Sequence, residues 1–415
     1  MLRGPCSSWA DRVSRDISEI DGFEATTEQA ELRATVRAFA RREFAPTYLE
    51  RAQSTDFPWK ALQALGELGL LHLLCPARHG GPDEPAYVAA GIAIEELAHA
   101  DFNIANLVIP PMIITYILGH FASDELQDAW LPRLTSGEAF VALGLTEPEV
   151  GSDAAALRTK AVRADGGWLI SGEKTSITAV PHAEACIVFA RSGGAGARGV
   201  SAFLVPLDDA GVSQAAIPDP GWKPIGRGSI SFDNVFVPDT AMIGGEGEAF
   251  SKVMAGFDFT RPLLALTAIG AAQASIDDAV EHVRRRRAFG AALASFEGVS
   301  FPLAEHATRL VAARALCYQA LQRRERGQAH TALAAMVKWL GPRSAMEAAH
   351  DCMLLLGHYG YTTDSPMEQR LRDIMAVEIA DGTAQVQKII IARELFGREF
   401  VPYGAARTPM PADGA

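Results

Sequence analysis

The chain has 415 residues, 48% hydrophobic and 21% charged, which is ordinary globular usage in a chain long enough for several packed layers or domains. A formal net charge of -12 argues against a nucleic-acid binder, because phosphate contacts need a basic surface. We expect no apolar run of transmembrane length and no membrane insertion. The five cysteines contain no C-x-x-C pair, so no metal site is expected and a reducing cytoplasm is predicted.

Residues 1–24 are predicted to be a loose lead-in that lacks the apolar stretch of a secretory signal. Between residues 25 and 142 apolar side chains recur at helical spacing, as at Leu62, Leu65 and Leu68, which predicts an N-terminal helical domain. Clusters of turn residues predict breaks in these helices at Phe57-Pro58, Cys75-Pro76, His79 to Pro82 and Pro110-Pro111.

Residues 143–245 carry short β-prone runs without intervening helices, which predicts a central antiparallel β-barrel domain with a hairpin turn at Asp165-Gly166-Gly167. Helical spacing returns over residues 246–400, which predicts a C-terminal helical bundle, and Pro262 is a candidate kink in its first helix. The tail, 401–415, is rich in Pro, Gly and Ala and is predicted to be flexible. The predicted bundle segments are 248–288, 298–327, 330–356, 366–376 and 383–396. The fold class is α+β.

The segment from Leu145 to Asp153 reads L-T-E-P-E-V-G-S-D and resembles the T-E-P-x-x-G-S-D signature of the acyl-CoA dehydrogenases. Further segments resemble that family's signatures in the same order: Arg261-Pro262, Arg286 to Gly290, Leu371-Arg372-Asp373 and Asp381 to Gln387. The resemblance implies an N-terminal helical domain, a central β domain and a C-terminal four-helix bundle. It also implies FAD as cofactor, an acyl thioester as substrate, and a homotetramer or homodimer.

Desaturation of an acyl thioester needs a base for the α-proton, an acceptor for the β-hydride and donors for the developing enolate oxygen. The family's base is usually a Glu immediately before G-T-x-Q, and that position here is Asp381. The resemblance implies that the backbone N–H of Asp381 binds the thioester carbonyl. Taken alone, Asp381 reads as a helix N-cap. Some relatives carry the base just before the Arg that matches Arg261, where this chain has Thr260, which cannot serve.

Cofactor contacts follow from the same resemblance. Ser152 is expected to lie near both the flavin and the thioester. Ile177 and Thr178 resemble a W-I-T strand whose Thr binds flavin N5. Arg286 and Phe289 resemble residues that reach the FAD pyrophosphate of a neighbouring subunit, although Arg284 to Arg287 also read as a solvated helix end. The expected cofactor-binding residues are Leu145, Thr146, Ser152, Ile177, Thr178, Arg286, Phe289, Thr383 and Gln385.

Substrate contacts are expected from the segment 257–261, which resembles the stretch that touches the pantetheine and thioester. An ordinary helix with an Asp258–Arg261 ion pair explains the same residues. The expected substrate-binding residues are Ser152, Phe257, Asp258, Arg261 and Gly382.

Three cofactor positions depart from the family pattern. Ser176 replaces the Trp of the W-I-T strand, Glu297 replaces a Gln, and Leu354 begins a segment that replaces the usual Q-x-x-G-G-x-G loop. An acid near a pyrophosphate is unfavourable, so the adenosine half of FAD is expected to be held differently.

Aspartate is one methylene shorter than glutamate, and poor reach lowers the rate steeply. A substrate with a branched, cyclic or substituted acyl group, such as a cyclohexanecarboxyl-type thioester, is therefore expected. Either CoA or a carrier protein can bear the thioester, and either electron-transferring flavoprotein or oxygen can accept the electrons. Two alternatives stay open: a flavin monooxygenase or nitroso-forming enzyme on the same fold, and a non-catalytic binding paralogue.

Overall fold

The computed structural model describes residues 23–400, so the expectations for most of the lead-in and for the tail lie outside the described residues. The elements run in the order helices, strands, helices. Helix α1 begins at a capping box, in which the Thr26 hydroxyl accepts from the Gln29 N–H and the Gln29 side chain accepts from the Thr26 N–H. The N-terminal helices are α1 (Thr27–Glu43), α2 (Tyr48–Gln53), α3 (Trp59–Glu67), α4 (Tyr87–Ala100), α5 (Phe102–Phe121) and α6 (Asp124–Thr135).

Helix α5 forms the centre of the N-terminal helical domain. The Asp101 carboxylate caps it by accepting from the N–H groups of Asn103 and Ile104. The predicted break at Pro110-Pro111 is wrong, because α5 runs through both prolines to Phe121. Each proline removes a helical hydrogen bond, but α5 packs against α4, α6 and other elements, and this burial offsets the loss.

Two helices are long and apolar enough to cross a membrane by length and composition alone. They are α5 and a 37-residue helix of the C-terminal domain, α7 (Ala249–Arg285). The expectation that no segment approaches this length is therefore wrong. Neighbouring parts of the fold bury 78% of the apolar window of α5 and 83% of that of α7. Their apolar side chains thus contribute to the core of the protein.

The central domain is an eight-stranded sheet with strand order β6-β7-β3-β2-β4-β5-β8 and with β1 beside β4. The predicted turn at Asp165-Gly166 joins β2 to β3. Most pairs are antiparallel as predicted, but β1 and the start of β2 each pair with β4 in parallel, which the long connections between these strands allow. The strands are β1 (Val141–Gly144), β2 (Lys160–Ala164), β3 (Gly167–Thr178), β4 (Ala185–Arg191), β5 (Val200–Pro206), β6 (Val212–Ile217), β7 (Arg227–Pro238) and β8 (Met242–Ile243).

The C-terminal domain begins with α7, which continues through Pro262 and packs extensively on the N-terminal α4. A small hairpin of β9 (Arg287–Ala288) and β10 (Ala291–Ala292) follows it. The later helices end within two residues of the predicted segments. They are α8 (Glu297–Glu325), α9 (Thr331–Leu355), α10 (Pro366–Val377) and α11 (Ala384–Phe396).

One buried carboxylate, that of Asp373 in α10, joins all three parts of the fold. It accepts from the Trp222 backbone N–H of the β domain at 2.8 Å and from the Asn103 side chain of α5 at 3.1 Å. Gln369 of α10 donates at 2.8 Å and the Tyr48 hydroxyl of α2 at 3.5 Å. Burial raises the pKa of Asp373 to about 6, and the hydrogen bonds from Gln369 and Trp222 oppose the rise.

We expect Asp373→Asn to destabilise the fold, because an amide NH2 would then face a ring of donors. Since the folded pKa is raised, protonation of Asp373 adds stability below its unfolded pKa, and this stability is lost as pH rises through about 6. The difference in the free energy of unfolding between wild type and variant should therefore grow by about 1 kcal/mol as the pH is lowered from about 7.5 to about 5.

Urea unfolding at the two pH values measures this gap. The control is Asp278→Asn, which removes a half-exposed carboxylate paired with Arg370 on the same helix as Asp373. A gap for Asp373→Asn that stayed constant with pH would contradict the expectation.

Candidate active site

The turn between α10 and α11, residues 378–383, carries the predicted base. Asp381 adopts a left-handed backbone with φ of 50°, and Gly382 follows with φ of 94°. A Cβ at Gly382 would lie 2.7 Å from the Gln387 amide nitrogen, so the turn requires glycine there. The N-cap of α11 is Thr383, whose hydroxyl accepts from the Val386 N–H. Asp381 is therefore not the helix cap, and its carboxylate is free for another role.

The Asp381 carboxylate lies beside α7 and α9. The Thr260 hydroxyl of α7 donates to it at 3.1 Å, which brings together the two positions at which a base was considered. Burial raises the pKa of Asp381, while the charge of Lys338, the Thr260 hydrogen bond and the charge of Arg261 oppose the rise. A carboxylate with a raised pKa is a stronger base than an ordinary surface aspartate.

The backbone N–H of Asp381 has no hydrogen-bond partner among residues 23–400. The carbonyl oxygen of Asp381 does have a partner, because the Gln387 side chain donates to it at 3.2 Å. One residue therefore presents both a carboxylate and an unused donor. This pairing is what deprotonation next to a carbonyl requires, since the proton acceptor and the oxyanion donor act on neighbouring atoms.

Arg261 and Asp258 form the internal ion pair that an ordinary helix predicts, with 2.6 Å between Arg261 Nη1 and Asp258 Oδ1. The second Asp258 oxygen accepts from the Thr331 hydroxyl at 2.7 Å. Both oxygens of Asp258 therefore have partners inside the protein. The Nε atom of Arg261 is buried without a partner in the described chain, and Phe257 packs against the core.

The predicted flavin-binding positions of the β domain lie on two neighbouring segments. The Thr175 N–H of β3 donates to the Thr146 carbonyl at 2.9 Å, which ties the loop after β1 to the strand that carries Thr178. Leu145 and Ile177 are buried, whereas Ser152 is exposed. Thr146 lies in the loop that follows strand β1.

A buried ion pair fixes this loop. Lys174 is fully buried, and its ammonium lies 2.8 Å from the Glu147 carboxylate and 3.1 Å from the Leu145 carbonyl. Glu147 also accepts from the N–H groups of Arg158 and Thr159. Burial lowers the pKa of Lys174 to about 8, and Glu147 opposes this shift. All the acceptor and donor groups of the pair thus have partners, as a buried ion pair requires.

Ser176, where the family strand has Trp, lies on a bulge between β3 and β7 with φ of 59°. Its hydroxyl accepts from Arg227 at 2.9 Å, and Arg227 in turn pairs with Asp219 through two hydrogen bonds. The position therefore presents a polar and charged group in place of an indole ring.

Arg286 and Phe289 lie far from the base. Both are exposed, Phe289 to 98%, and they follow the end of α7. Arg285 lies 25 residues after Thr260 in this continuous helix, which at about 1.5 Å per residue is a rise of about 37 Å. One protomer therefore does not bring Arg286 or Phe289 to Asp381. Arg284 and Arg285 occupy the last turn of α7, as the helix-end reading predicts.

The remaining predicted positions are spread over the C-terminal domain. Thr383 and Gln385 begin α11, where Thr383 is partly buried and Gln385 is exposed. Glu297 begins α8, a position at which the helix dipole stabilises an acid. Leu354, near the end of α9, is 60% exposed.

Three family models match this chain in succession. The N-terminal, middle and C-terminal domains of acyl-CoA dehydrogenase match residues 26–138, 142–235 and 247–396. An acyl-CoA dehydrogenase of Bacillus subtilis (strain 168) is 34% identical over 380 residues, which cover 90% of this chain and 100% of that protein. The chain therefore belongs to the acyl-CoA dehydrogenase family, whose members are FAD-dependent oxidoreductases acting on CH–CH groups.

Two further comparisons extend this result. A cyclohexane-1-carbonyl-CoA dehydrogenase of Geobacter metallireducens (strain ATCC 53774 / DSM 7210 / GS-15) is 32% identical over 378 residues, covering 90% of this chain and 98% of that protein. The structure of butyryl-CoA dehydrogenase from Megasphaera elsdenii superposes with a TM-score of 0.86 at 29% identity, covering 90% of this chain and 99% of that one. The architecture predicted from the sequence is confirmed.

The residues of the β domain fit a flavin. Thr146 and Thr178 offer hydroxyl groups on segments that a backbone hydrogen bond joins, and Ser152 adds a third at an exposed edge. These residues would hold the isoalloxazine side of FAD, which when bound supplies the acceptor for a hydride.

Sequence reasoning missed three groups that support this site: Lys338, the Glu147–Lys174 pair and the Asp373 junction. Lys338 is a single charge within the apolar run Met336 to Leu340, which is a detectable signal for a buried functional lysine. Glu147 and Asp373 lie inside recognised motifs, but the sequence does not reveal their partners.

We expect Glu147→Gln to weaken FAD retention, because Lys174 would keep a buried amine without its carboxylate and the loop carrying Thr146 and Ser152 would loosen. Breaking a buried pair costs about 3 kcal/mol. Equilibrium dialysis of FAD and thermal unfolding measure the two effects.

The matched control is Glu149→Gln, two residues further along, whose ion pair with Arg158 is exposed. That change should alter stability by less than about 1 kcal/mol. Equal effects of the two substitutions would contradict a special role for the buried pair.

Proposed function

We propose that Asp381 is the base that removes the α-proton of an acyl thioester, as the β-hydrogen leaves as hydride. The observation that supports this proposal is the pairing, in one turn residue, of a carboxylate with a raised pKa and a backbone N–H that has no partner in the described chain. The carboxylate takes the proton and the N–H stabilises the developing enolate oxygen.

Neighbouring residues orient the Asp381 carboxylate and shift its pKa. Thr260 fixes its orientation through the 3.1 Å hydrogen bond, and the charges of Lys338 and Arg261 oppose the rise in its pKa that burial causes. Thr260 lacks a carboxylate, so Asp381 is left as the acid at the junction of α7 and the turn. FAD, when bound, would supply the hydride acceptor.

The shorter side chain of Asp381 supports a substrate with a branched, cyclic or otherwise substituted acyl group. An aspartate carboxylate reaches less far than that of glutamate, so the α-carbon must approach it more closely or the substrate must be bulkier. The relative named for cyclohexane-1-carbonyl-CoA adds support for a cyclic acyl group. The thioester bearer is CoA or a carrier protein, since both present a phosphopantetheine arm.

A homotetramer or homodimer is part of the proposal. Among the described residues, the exposed large hydrophobic side chains other than Val162 and Phe236 lie between residues 289 and 400. Such a concentration favours association through the C-terminal domain. In an oligomer the exposed Arg286 and Phe289 would serve the FAD of a neighbouring subunit, and sedimentation velocity would measure the assembly.

Electron-transferring flavoprotein is the proposed electron acceptor, with oxygen as the alternative that the polar Ser176 position supports. Steady-state turnover with each acceptor separates the two. A cytoplasmic location is also proposed, because the described cysteines at 75, 186, 317 and 352 are free and buried. Cell fractionation tests the location.

We expect Asp381→Asn to slow flavin reduction by about 10³-fold, because an amide cannot accept the α-proton. Anaerobic bleaching of the flavin absorbance by a panel of acyl thioesters measures the rate. Asp364→Asn, an exposed acid in the loop before α10, is the control and should keep the wild-type rate. Unchanged bleaching by Asp381→Asn would overturn the assignment of the base.

We expect the wild type to prefer cyclic or branched acyl thioesters, and Asp381→Glu to raise turnover of straight-chain thioesters without improving that of cyclic ones. The longer side chain restores reach toward an unsubstituted α-carbon. The ratio of kcat/KM for cyclohexanecarboxyl-CoA and butyryl-CoA measures this preference. A wild type that already favoured the straight chain would refute the substrate class.

A further inference from the structure

Lys338 of α9 is a buried lysine next to the base. It is 1% exposed, and its ammonium donates to the Val377 carbonyl at 2.6 Å and to the Gly382 carbonyl at 3.5 Å. Among the described residues it forms no ion pair within 4.0 Å, unlike the other fully buried lysine, Lys174. Its two acceptors lie on either side of Asp381 in the chain. One side chain therefore binds both ends of the turn that carries the base.

The same turn is held from α11. Gln387 is also buried, and its amide donates to the carbonyl oxygens of Asp381 and Gly382 at 3.2 and 2.9 Å. The carbonyls of residues 377, 381 and 382 are thus bound by Lys338 and Gln387. The Asp381 N–H and carboxylate are left for other partners, of which Thr260 is one.

We propose that Lys338 is a positioning residue for the turn 378–383. It holds Asp381 and Gly382 in the left-handed backbone that presents the Asp381 carboxylate and N–H together. This inference rests on the proposed function of Asp381. Left-handed backbone is unfavourable for a residue other than glycine, so a non-glycine residue stays there only where its surroundings fix it. A single ammonium that ties the end of α10 to Gly382 supplies such a restraint.

The charges around Lys338 are consistent with this role. Asp381 and Glu378 of the turn face it, Arg261 of α7 opposes it, and Arg393 of α11 opposes Arg261 in turn. Burial lowers the pKa of Lys338 to about 8, with Asp381 opposing this shift, so the side chain carries its charge at neutral pH. That charge favours the ionised form of Asp381.

The experiment compares three variants of the FAD-loaded enzyme. Lys338→Met removes both the hydrogen bonds and the charge, Lys338→Arg keeps the charge, and Val337→Ala truncates the adjacent buried residue of α9 as a control for lost packing. The readouts are kcat and KM, the pH profile of kcat/KM, and hydrogen exchange of a peptide covering residues 376–383.

We expect Lys338→Met to lower kcat about 100-fold with little change in KM, because a misplaced base loses rate and not binding. The acidic limb of its pH profile should move to higher pH by about one unit, since a cation that favours the carboxylate is gone. Exchange in residues 376–383 should rise. Lys338→Arg should keep the acidic limb of the wild type and recover part of kcat. Val337→Ala should keep the kcat, the acidic limb and the exchange of the wild type.

Wild-type kcat and exchange in Lys338→Met would overturn the inference, as would the same changes in Val337→Ala. If Lys338→Met yields no folded protein, Lys338→Arg decides: a lowered kcat with an unmoved acidic limb supports positioning, and a wild-type kcat with wild-type exchange overturns it. The proposed function fails separately, through an active Asp381→Asn. An inactive Asp381→Asn with a normal Lys338→Met overturns the positioning role alone.

Discussion

The buried Asp373 carboxylate is the constraint on which the arrangement of the three parts depends. It binds Trp222 of the β domain, Asn103 and Tyr48 of the N-terminal helices and Gln369 of its own helix. The Trp222 indole also donates to the Asp373 carbonyl. Because α10 leads directly into the turn with Asp381, this junction sets where the proposed base lies relative to the β domain that carries Thr146 and Thr178.

Around Asp381, the proposed base, burial and neighbouring charges shift the pKa of the carboxyl group in opposite directions. Burial raises the pKa of Asp381, whereas the charge of Lys338, the Thr260 hydroxyl and the charge of Arg261 favour the carboxylate. The two cations are themselves buried and bind other groups. Arg261 pairs with Asp258, and Lys338 donates to backbone carbonyls. A general base is most effective when its pKa is raised toward the working pH while its ionised form is still favoured by neighbouring groups.

In the loop that carries Thr146, the Glu147–Lys174 pair likewise combines burial with a partner of opposite charge. Its polar atoms have partners within the loop and β3, so the pair fixes the loop geometry at a low net electrostatic cost. Ser176 and Arg227 differ in kind, because they place polar groups at a position where the family strand has an indole. The protein therefore keeps the fold of its family.

The sequence by itself determined the family, the helix and strand order and the candidate base, because apolar periodicity and contiguous motifs are local features. It misjudged Pro110-Pro111, since burial of α5 overrides the local cost of proline. Only the tertiary structure decided which distant groups meet: Thr260 with Asp381, Lys338 with the turn, and Asp373 with Trp222. It also separated Arg286 and Phe289 from the base, because a continuous helix fixes that distance whatever the motif implies.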